Sequence, residues 1–253
     1  MNKLEEYILR YRELHDGTAM YASASDPTIQ KVNKGKPGKK KVLFDGSQLG
    51  KKLPPFIQKF INNKGKAVTL LDYGCGRAIH NFTRLRDHGN ETYTRRTLIE
   101  RFEGMIQCYY CFDPAVQIYD EKPPQGMVFD IVCCADVMEH IPEDFVESVL
   151  REIFAYTKTN GVAMFTISGN PALKTFNDGE NLHTTIKQVE WWLEKIQTCS
   201  DGKSFLLFHN DESKPDQPVQ FKYHNSTELT IWNFMNRKNP IKLGKHLCEV
   251  EEV

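Results

Sequence analysis

The 253-residue sequence has no excess of charge of either sign, because 33 Lys and Arg balance 33 Asp and Glu. A chain without a net field has no general attraction for nucleic acid or an anionic membrane, so its partners must be read from local features. It has no run of about 18 apolar residues, the length a membrane-spanning helix needs. Its opening MNKLEEYILRYRELH is charged throughout, where a secretory leader would be apolar. The expectation is a cytoplasmic protein with no membrane partner. A completed metal motif is also lacking. Seven cysteines include one C-x-x-C, Cys108 and Cys111, but no second pair and no paired histidines complete four ligands. The cysteines are expected to be buried free thiols in a reducing compartment, with no metal. The chain lacks two common nucleotide signatures at its glycine-rich turn. There is no G-x-x-x-x-G-K-[ST] loop, and Ile79 stands where G-x-G-x-x-G needs its last glycine.

What is present reads as one α/β domain with additions, at a length that can bury a full core. LEEYILRYREL spaces Leu4, Tyr7, Ile8, Tyr11 and Leu14 along one helical face, suited to cover a core face or a cleft. KVNKGKPGKKK (31–41) mixes six lysines with glycine and proline and reads as a solvated loop or a local anion-binding loop. LPPFIQKFINN begins a helix at its prolines, and AVTLLDY (67–73) is a buried strand. A glycine turn, a helix from AIHNFTRLRDHG and a polar insertion at about 89–105 follow. QCYYCFD (107–113), about 128–135, and GVAMFTIS (161–168) are further strands. PEDFVESVLREIFAYT and TTIKQVEWWLEKIQ are helices, the second capped by Thr184. SFLLFHN and PVQFKYHN make a late antiparallel pair. The alternation predicts an α/β, doubly wound, Rossmann-like sheet, mostly parallel and closed by a C-terminal antiparallel hairpin. The expected division is an N-terminal helix and lysine-rich loop (1–44) before the main domain (45–253).

The buried strand ends in D-x-G-x-G-x-A, with Asp72, Gly74, Gly76 and Ala78. Glycines there let a ligand approach the backbone closely. In this the chain resembles the class I S-adenosylmethionine-dependent methyltransferases, whose first motif is an apolar strand ending in such a turn. YYCFDPA ends the second strand in Asp113, to which the resemblance assigns the ribose hydroxyls, since a carboxylate offers two acceptor oxygens. The alternative is a simple Asp-Pro turn former. DVMEHIP (136–142) is similar to the segment after the fourth strand in a branch that includes the small-molecule O-methyltransferases of quinone biosynthesis. There the backbone of Ala135 and Asp136 would face the methionine end of the cofactor, with Glu139 and His140 near a substrate entrance. His140 would serve as a base near neutral pH, or else cap a helix or satisfy buried backbone. G-E-N-x-H-x-T-I-x-x-V-E-W-W (179–192) resembles a group of bacterial and phage methyltransferase-like proteins that share L-L-D-Y-G-x-G-[KR] and D-P-A-V. It adds His183 as a second candidate base or a hydrogen-bond donor to substrate. Trp191 and Trp192 lie about 100° apart on a helix, so at most one points fully into the core and the other is free to wall a pocket.

The resemblance thus implies S-adenosylmethionine as cofactor, with S-adenosylhomocysteine as product. Its candidate binding residues are Asp72, Gly74, Cys75, Gly76, Asp113, Pro114, Ala135 and Asp136, and its catalytic candidates are Glu139, His140 and His183. Methyl transfer from a sulfonium needs in-line positioning and, for a hydroxyl acceptor, loss of a proton, which these groups supply without a nucleophile triad. The N-P-P-[YFW] tetrad of amino-methylating DNA enzymes is absent, and Cys133 and Cys134 sit in an apolar strand rather than on a Pro-Cys loop. The expected acceptor is a hydroxyl of a small molecule or glycan, not nucleic acid. A non-catalytic S-adenosylmethionine-binding regulator and an NAD(P)-dependent oxidoreductase are the alternatives. The family's usual strand order is 3-2-1-4-5-7-6. Too little chain separates Asp113 from the next strand to form strand 3, so that edge is expected reduced or missing and QIYDEK (117–122) would build the adenine pocket.

Overall fold

The protein is represented by a computed structural model that describes residues 2–18, 20–23, 30–32, 47–81, 97–210, 219–224, 229–234, 242–243 and 250–251. Its elements are α1 (Lys3–Asp16), β1 (Met20–Ser23), β2 (Gln30–Val32), α2 (Ser47–Lys52), α3 (Pro54–Lys64), β3 (Val68–Tyr73), α4 (Leu98–Arg101) and β4 (Ile106–Phe112). There follow β5 (Phe129–Ala135), α5 (Glu143–Tyr156), β6 (Thr157–Ser168), β7 (Lys174–Phe176), α6 (Val189–Cys199), β8 (Ser204–Asn210), β9 (Val219–His224), β10 (Leu229–Phe234), β11 (Lys242–Leu243) and β12 (Val250–Glu251). Most of the lysine-rich loop, residues 82–96 of the expected helix and insertion, and Cys248 lie outside the described residues.

The seven strands of the main sheet run in the order β10-β9-β8-β6-β5-β3-β4. Neighbours from β4 to β8 are parallel, whereas β9 is antiparallel to both β8 and β10. The sheet is therefore α/β, Rossmann-like and mostly parallel, with the late antiparallel pair in its expected place. Among the described residues β4 forms one edge, so the family's third strand is missing there. One feature departs from the usual order. The antiparallel strand is not inserted between two parallel ones, because β8 pairs directly with β6 and β9 adds outside it.

The central strands are buried on both faces, as parallel strands flanked by helices must be. In β5, Phe129 through Cys134 are all buried. One face carries α5, whose Val146, Val149, Leu150, Ile153 and Phe154 follow the 3.6-residue repeat, together with Val189, Trp192 and Ile196 of α6. The other carries Phe56, Ile57, Phe60 and Ile61 of α3. A second small sheet, order β2-β1-β7, was not foreseen from the sequence; it ties the N-terminal segment to residues 174–176.

One local expectation is corrected. Thr184 does not cap α6, which begins at Val189 after Gln188. The chain before it is held extended instead, with Thr185 donating its N–H to Glu139 O (3.0 Å) and its hydroxyl to Ile141 O (2.7 Å). After the glycine turn the described chain forms a single 3-10 turn, Ile79–Asn81. The tryptophans divide as helical geometry requires, with Trp192 fully buried and Trp191 half-buried between Lys187 and Lys195. Trp191 is not among the residues around the cavity described below. Trp192→Ala is expected to cost about 3–5 kcal/mol in urea unfolding, as large-to-small core changes do, and Trp191→Ala well under half of that.

Candidate active site

The C-terminal ends of β3, β4, β5 and β6 open into one cavity of about 690 Å³, roofed by α1. That volume lies in the range of small-molecule and cofactor sites. The end of β3 makes the first wall. Gly74 has φ 75° and a Cβ there would meet a Val137 methyl at 2.3 Å, so the position admits only glycine without a shift. Gly76 (φ 54°) and Ala78 (φ 47°) continue in the left-handed region. Gly74 and Cys75 donate their N–H groups to Phe112 O at 2.7 and 3.2 Å, fastening the turn to the end of β4.

Asp113 completes this fastening. One carboxylate oxygen accepts Gly76 N–H (2.8 Å) and the other Ala115 N–H (2.9 Å), while the residue also lines the cavity. An ionised carboxylate has about four acceptor positions. Two are taken by backbone, which leaves capacity for a vicinal diol, as the ribose of the implied cofactor requires. The donor set therefore fits that group. Burial raises the Asp113 pKa to about 6 against the lowering effect of the two N–H groups, with Asp72 raising it further and Arg12 lowering it. Arg12 reaches over from α1 to Pro114 O (2.6 Å) and Asp120 (3.0 Å).

Gly74, Gly76, Asp113, Pro114, Ala135 and Asp136 all border the cavity, whereas Asp72 and Cys75 do not. Asp72 is buried behind the turn, where its carboxylate accepts Tyr109 OH (3.0 Å) and lies 3.1 Å from His80 Nε2. The Cys75 thiol is buried too, and its hydrogen bond with Cys111 together with burial pushes its pKa up. Asp136 adopts φ 55°, a costly conformation for a non-glycine residue. Lys52 holds it by 3.0 Å bonds to both carboxylate oxygens, and Thr166 Oγ1 donates to it as well.

At the far end of the cavity Glu139, His140 and His183 come together. Glu139 is fully buried rather than poised at an entrance; its Oε1 accepts Ser168 N–H at 3.0 Å and its Oε2 has no hydrogen-bond partner among the described residues. Burial, then the neighbouring Asp136, pushes its pKa up. His140 Nδ1 lies 2.8 Å from Leu182 O and 3.0 Å from Tyr11 OH, so both readings of this residue meet in one place: it satisfies buried backbone and it lines the cavity. Burial and then the adjacent His183 lower its pKa to about 3, which makes the ring neutral at physiological pH. The two imidazoles stand 4.8 Å apart at 82°, and burial lowers the pKa of His183 also.

A family model described as a methyltransferase domain matches residues 46–206. The chain belongs to this methyltransferase family. Members of the family generally bind S-adenosylmethionine. No curated protein matches the sequence. A solved structure, the PH0226 protein of Pyrococcus horikoshii OT3, is 11% identical over 77% of this chain and 83% of that one, and its TM-score of 0.25 carries no argument.

Of the two roles open to the apolar face of α1, covering a core face or a cleft, the structure shows the second, with Leu4, Tyr7, Ile8 and Tyr11 lining the cavity. His15, one turn after Tyr11, also lines the cavity and was not singled out in the sequence. Lys52 carried no signal at all. In this family member Gly74→Ala is expected to destabilise by about 1–3 kcal/mol through strain and contact with Val137. A Gly74→Ala, Val137→Ala double variant, followed by thermal unfolding, is expected to recover the contact part only.

Proposed function

We propose that the protein is an S-adenosylmethionine-dependent methyltransferase acting on a hydroxyl of a small molecule or sugar. The observation that carries this reading is one roofed cavity with Asp113 and the glycine turn at one end and the Glu139–His140–His183 group at the other. When bound, S-adenosylmethionine supplies an electrophilic methyl group on a sulfonium that leaves as a neutral thioether. Asp113 would accept the two ribose hydroxyls. Gly74 and Gly76 would admit the cofactor close to the backbone, and Ala135 and Asp136 would border its methionine end. Lys122, the last residue of QIYDEK, also lines the cavity and supports an adenine pocket on that side. His140, neutral at physiological pH, would accept the hydrogen bond of the incoming hydroxyl and so aim its oxygen.

A concave site under a helix suits a small acceptor, and the balanced charge supports the same reading. No helix of the described residues is long and apolar enough to cross a membrane. The N-terminal helix and lysine-rich loop (1–44) and the main domain (45–253) are the proposed division of the chain.

Titration calorimetry tests the cofactor assignment. S-adenosylmethionine and S-adenosylhomocysteine are both expected to bind, with Asp113→Ala weakening each at least about tenfold, roughly 1.4 kcal/mol. If neither binds, or if Asp113→Ala changes nothing, the assignment is wrong. Protonation removes the charge that two hydroxyls would share, so affinity is expected to hold above pH 6 and to fall as the pH drops below the Asp113 value of about 6. Labelled S-adenosylmethionine incubated with fractionated extracts then identifies the acceptor, and binding without any transfer would instead support the regulatory alternative.

A further inference from the structure

We propose that Glu139, His140 and His183 form a divalent-metal site for a first-row transition ion at the acceptor end of the cavity. One carboxylate oxygen of Glu139 and one ring nitrogen from each histidine all lie within 4.8 Å of one another. Donors bound at about 2.0–2.2 Å from a tetrahedral ion sit roughly 3.3–3.6 Å apart, so closing the trio requires side-chain shifts of about 1 Å.

Three further features point to a cation rather than a chance gathering. The first is the unsatisfied acceptor. Glu139 is completely buried, yet only Oε1 is bonded, to Ser168 N–H; Oε2 is without a hydrogen-bond partner among the described residues. A buried carboxylate oxygen left in this way is costly unless a proton or a cation meets it, and a proton there would itself lack an acceptor among the described residues. The second is the distribution of charge. Lys52 hydrogen-bonds Asp136 and acts on Glu139 only through its charge, so no cationic side chain of the described residues is bonded to Glu139 Oε2. The third is how the rings are held. His140 Nδ1 lies 2.8 Å from Leu182 O and His183 Nδ1 lies 2.5 Å from Asn170 O. A carbonyl only accepts, so both rings carry their proton on Nδ1 and have Nε2 as their basic nitrogen. Metal-binding histidines are oriented by backbone carbonyls in the same manner.

The donors suit the ion class as well. Two imidazoles and a carboxylate, with no thiolate, match zinc, iron, manganese or cobalt better than calcium. Three protein ligands leave at least one coordination position, and all three residues line the cavity, so that position faces the bound acceptor. A hydroxyl ligating the ion would become more acidic. With the ion bound, His140 Nε2 is one of its ligands, and the ion rather than the imidazole then holds and aims the hydroxyl oxygen. The acidifying role rests on the methyltransferase reading, but the metal site itself does not.

The test uses the full chain, stripped with chelator and titrated with Co²⁺ while its visible absorption is followed. One equivalent is expected to bind with a ligand-field spectrum of imidazole and carboxylate ligation, and Zn²⁺ is expected to displace it. His183→Ala and Glu139→Gln, each checked for native circular dichroism, are expected to weaken Co²⁺ binding at least about tenfold, the scale on which even supporting residues of metal sites act. A Cys108→Ser, Cys111→Ser variant is expected to bind as the parent does. Absence of a spectrum, or binding that survives both ligand variants, overturns the site; loss of binding only in the cysteine variant overturns it too. S-adenosylmethionine calorimetry on the metal-free protein separates the two readings. Cofactor binding without cobalt binding removes the metal site alone, and cobalt binding without cofactor binding removes the methyltransferase reading alone.

Discussion

The carboxylate of Asp113 is the joint on which the site depends. Parallel strands such as β3 and β4 end in loops whose N–H groups have lost their ladder partners, and each must be paired if it is buried. Asp113 takes the N–H of Gly76 on one oxygen and that of Ala115 on the other, while Phe112 O takes those of Gly74 and Cys75. The left-handed turn at Gly74, Gly76 and Ala78 is thereby held against the end of the neighbouring strand. The same carboxylate reaches the cavity wall, so the group that shapes the floor is also one that a ligand would meet. Burial and the nearby Asp72 oppose its ionisation, and the two N–H groups favour it.

A second constraint comes from α1. Tyr7 and Leu14 are buried with Phe176 and Leu182, so the helix is fixed to the chain around β7 chiefly by apolar contact. Its partly exposed ion pairs, Arg10 with Asp178 and Glu180, add little, since such pairs are worth about 0–1 kcal/mol. What they add is register. With Arg12 on Pro114 O and Arg77 donating to His15 O, the roof is tied to the cofactor end, and with Tyr11 bonded to Leu182 O it is tied to the acceptor end. One helix therefore spans both halves of the cavity.

The acceptor end concentrates groups that are unfavourable singly. Asp136 is in a strained backbone conformation, Glu139 is a carboxylate without solvent, and His140 is an imidazole kept neutral. Strain and buried ionisable groups gather where a fold is committed to a ligand, because surrounding packing must hold them there. Ser168, Thr166 and Lys52 provide that support from β6 and α2.

Local chemistry made much of this readable in advance. Continuous apolar runs marked β3, β5 and β6 as strands buried on both faces, and the acid-glycine turn marked where backbone would approach a ligand. The short interval after Asp113 marked the missing edge strand. These are properties of neighbouring residues, decided by dihedral freedom and by the two-residue and 3.6-residue repeats. Motif membership was a poorer guide to exposure. Asp72 and Cys75 belong to the same turn as Gly74, yet they point behind it toward His80, Tyr109 and Cys111. Thr184 had the chemistry of a cap, but hydrogen bonds from Thr185 to Glu139 and Ile141 kept its segment extended. The sequence by itself determined β3, β4, β5, β6, β8 and β9, the helices α1, α3, α5 and most of α6, and where the glycine turn falls. Only the tertiary structure decided that α1 roofs the cavity, that β8 pairs directly with β6, and that Glu139, His140 and His183 share one volume. Those outcomes depend on through-space packing and desolvation among residues far apart in the chain, and no local pattern records them.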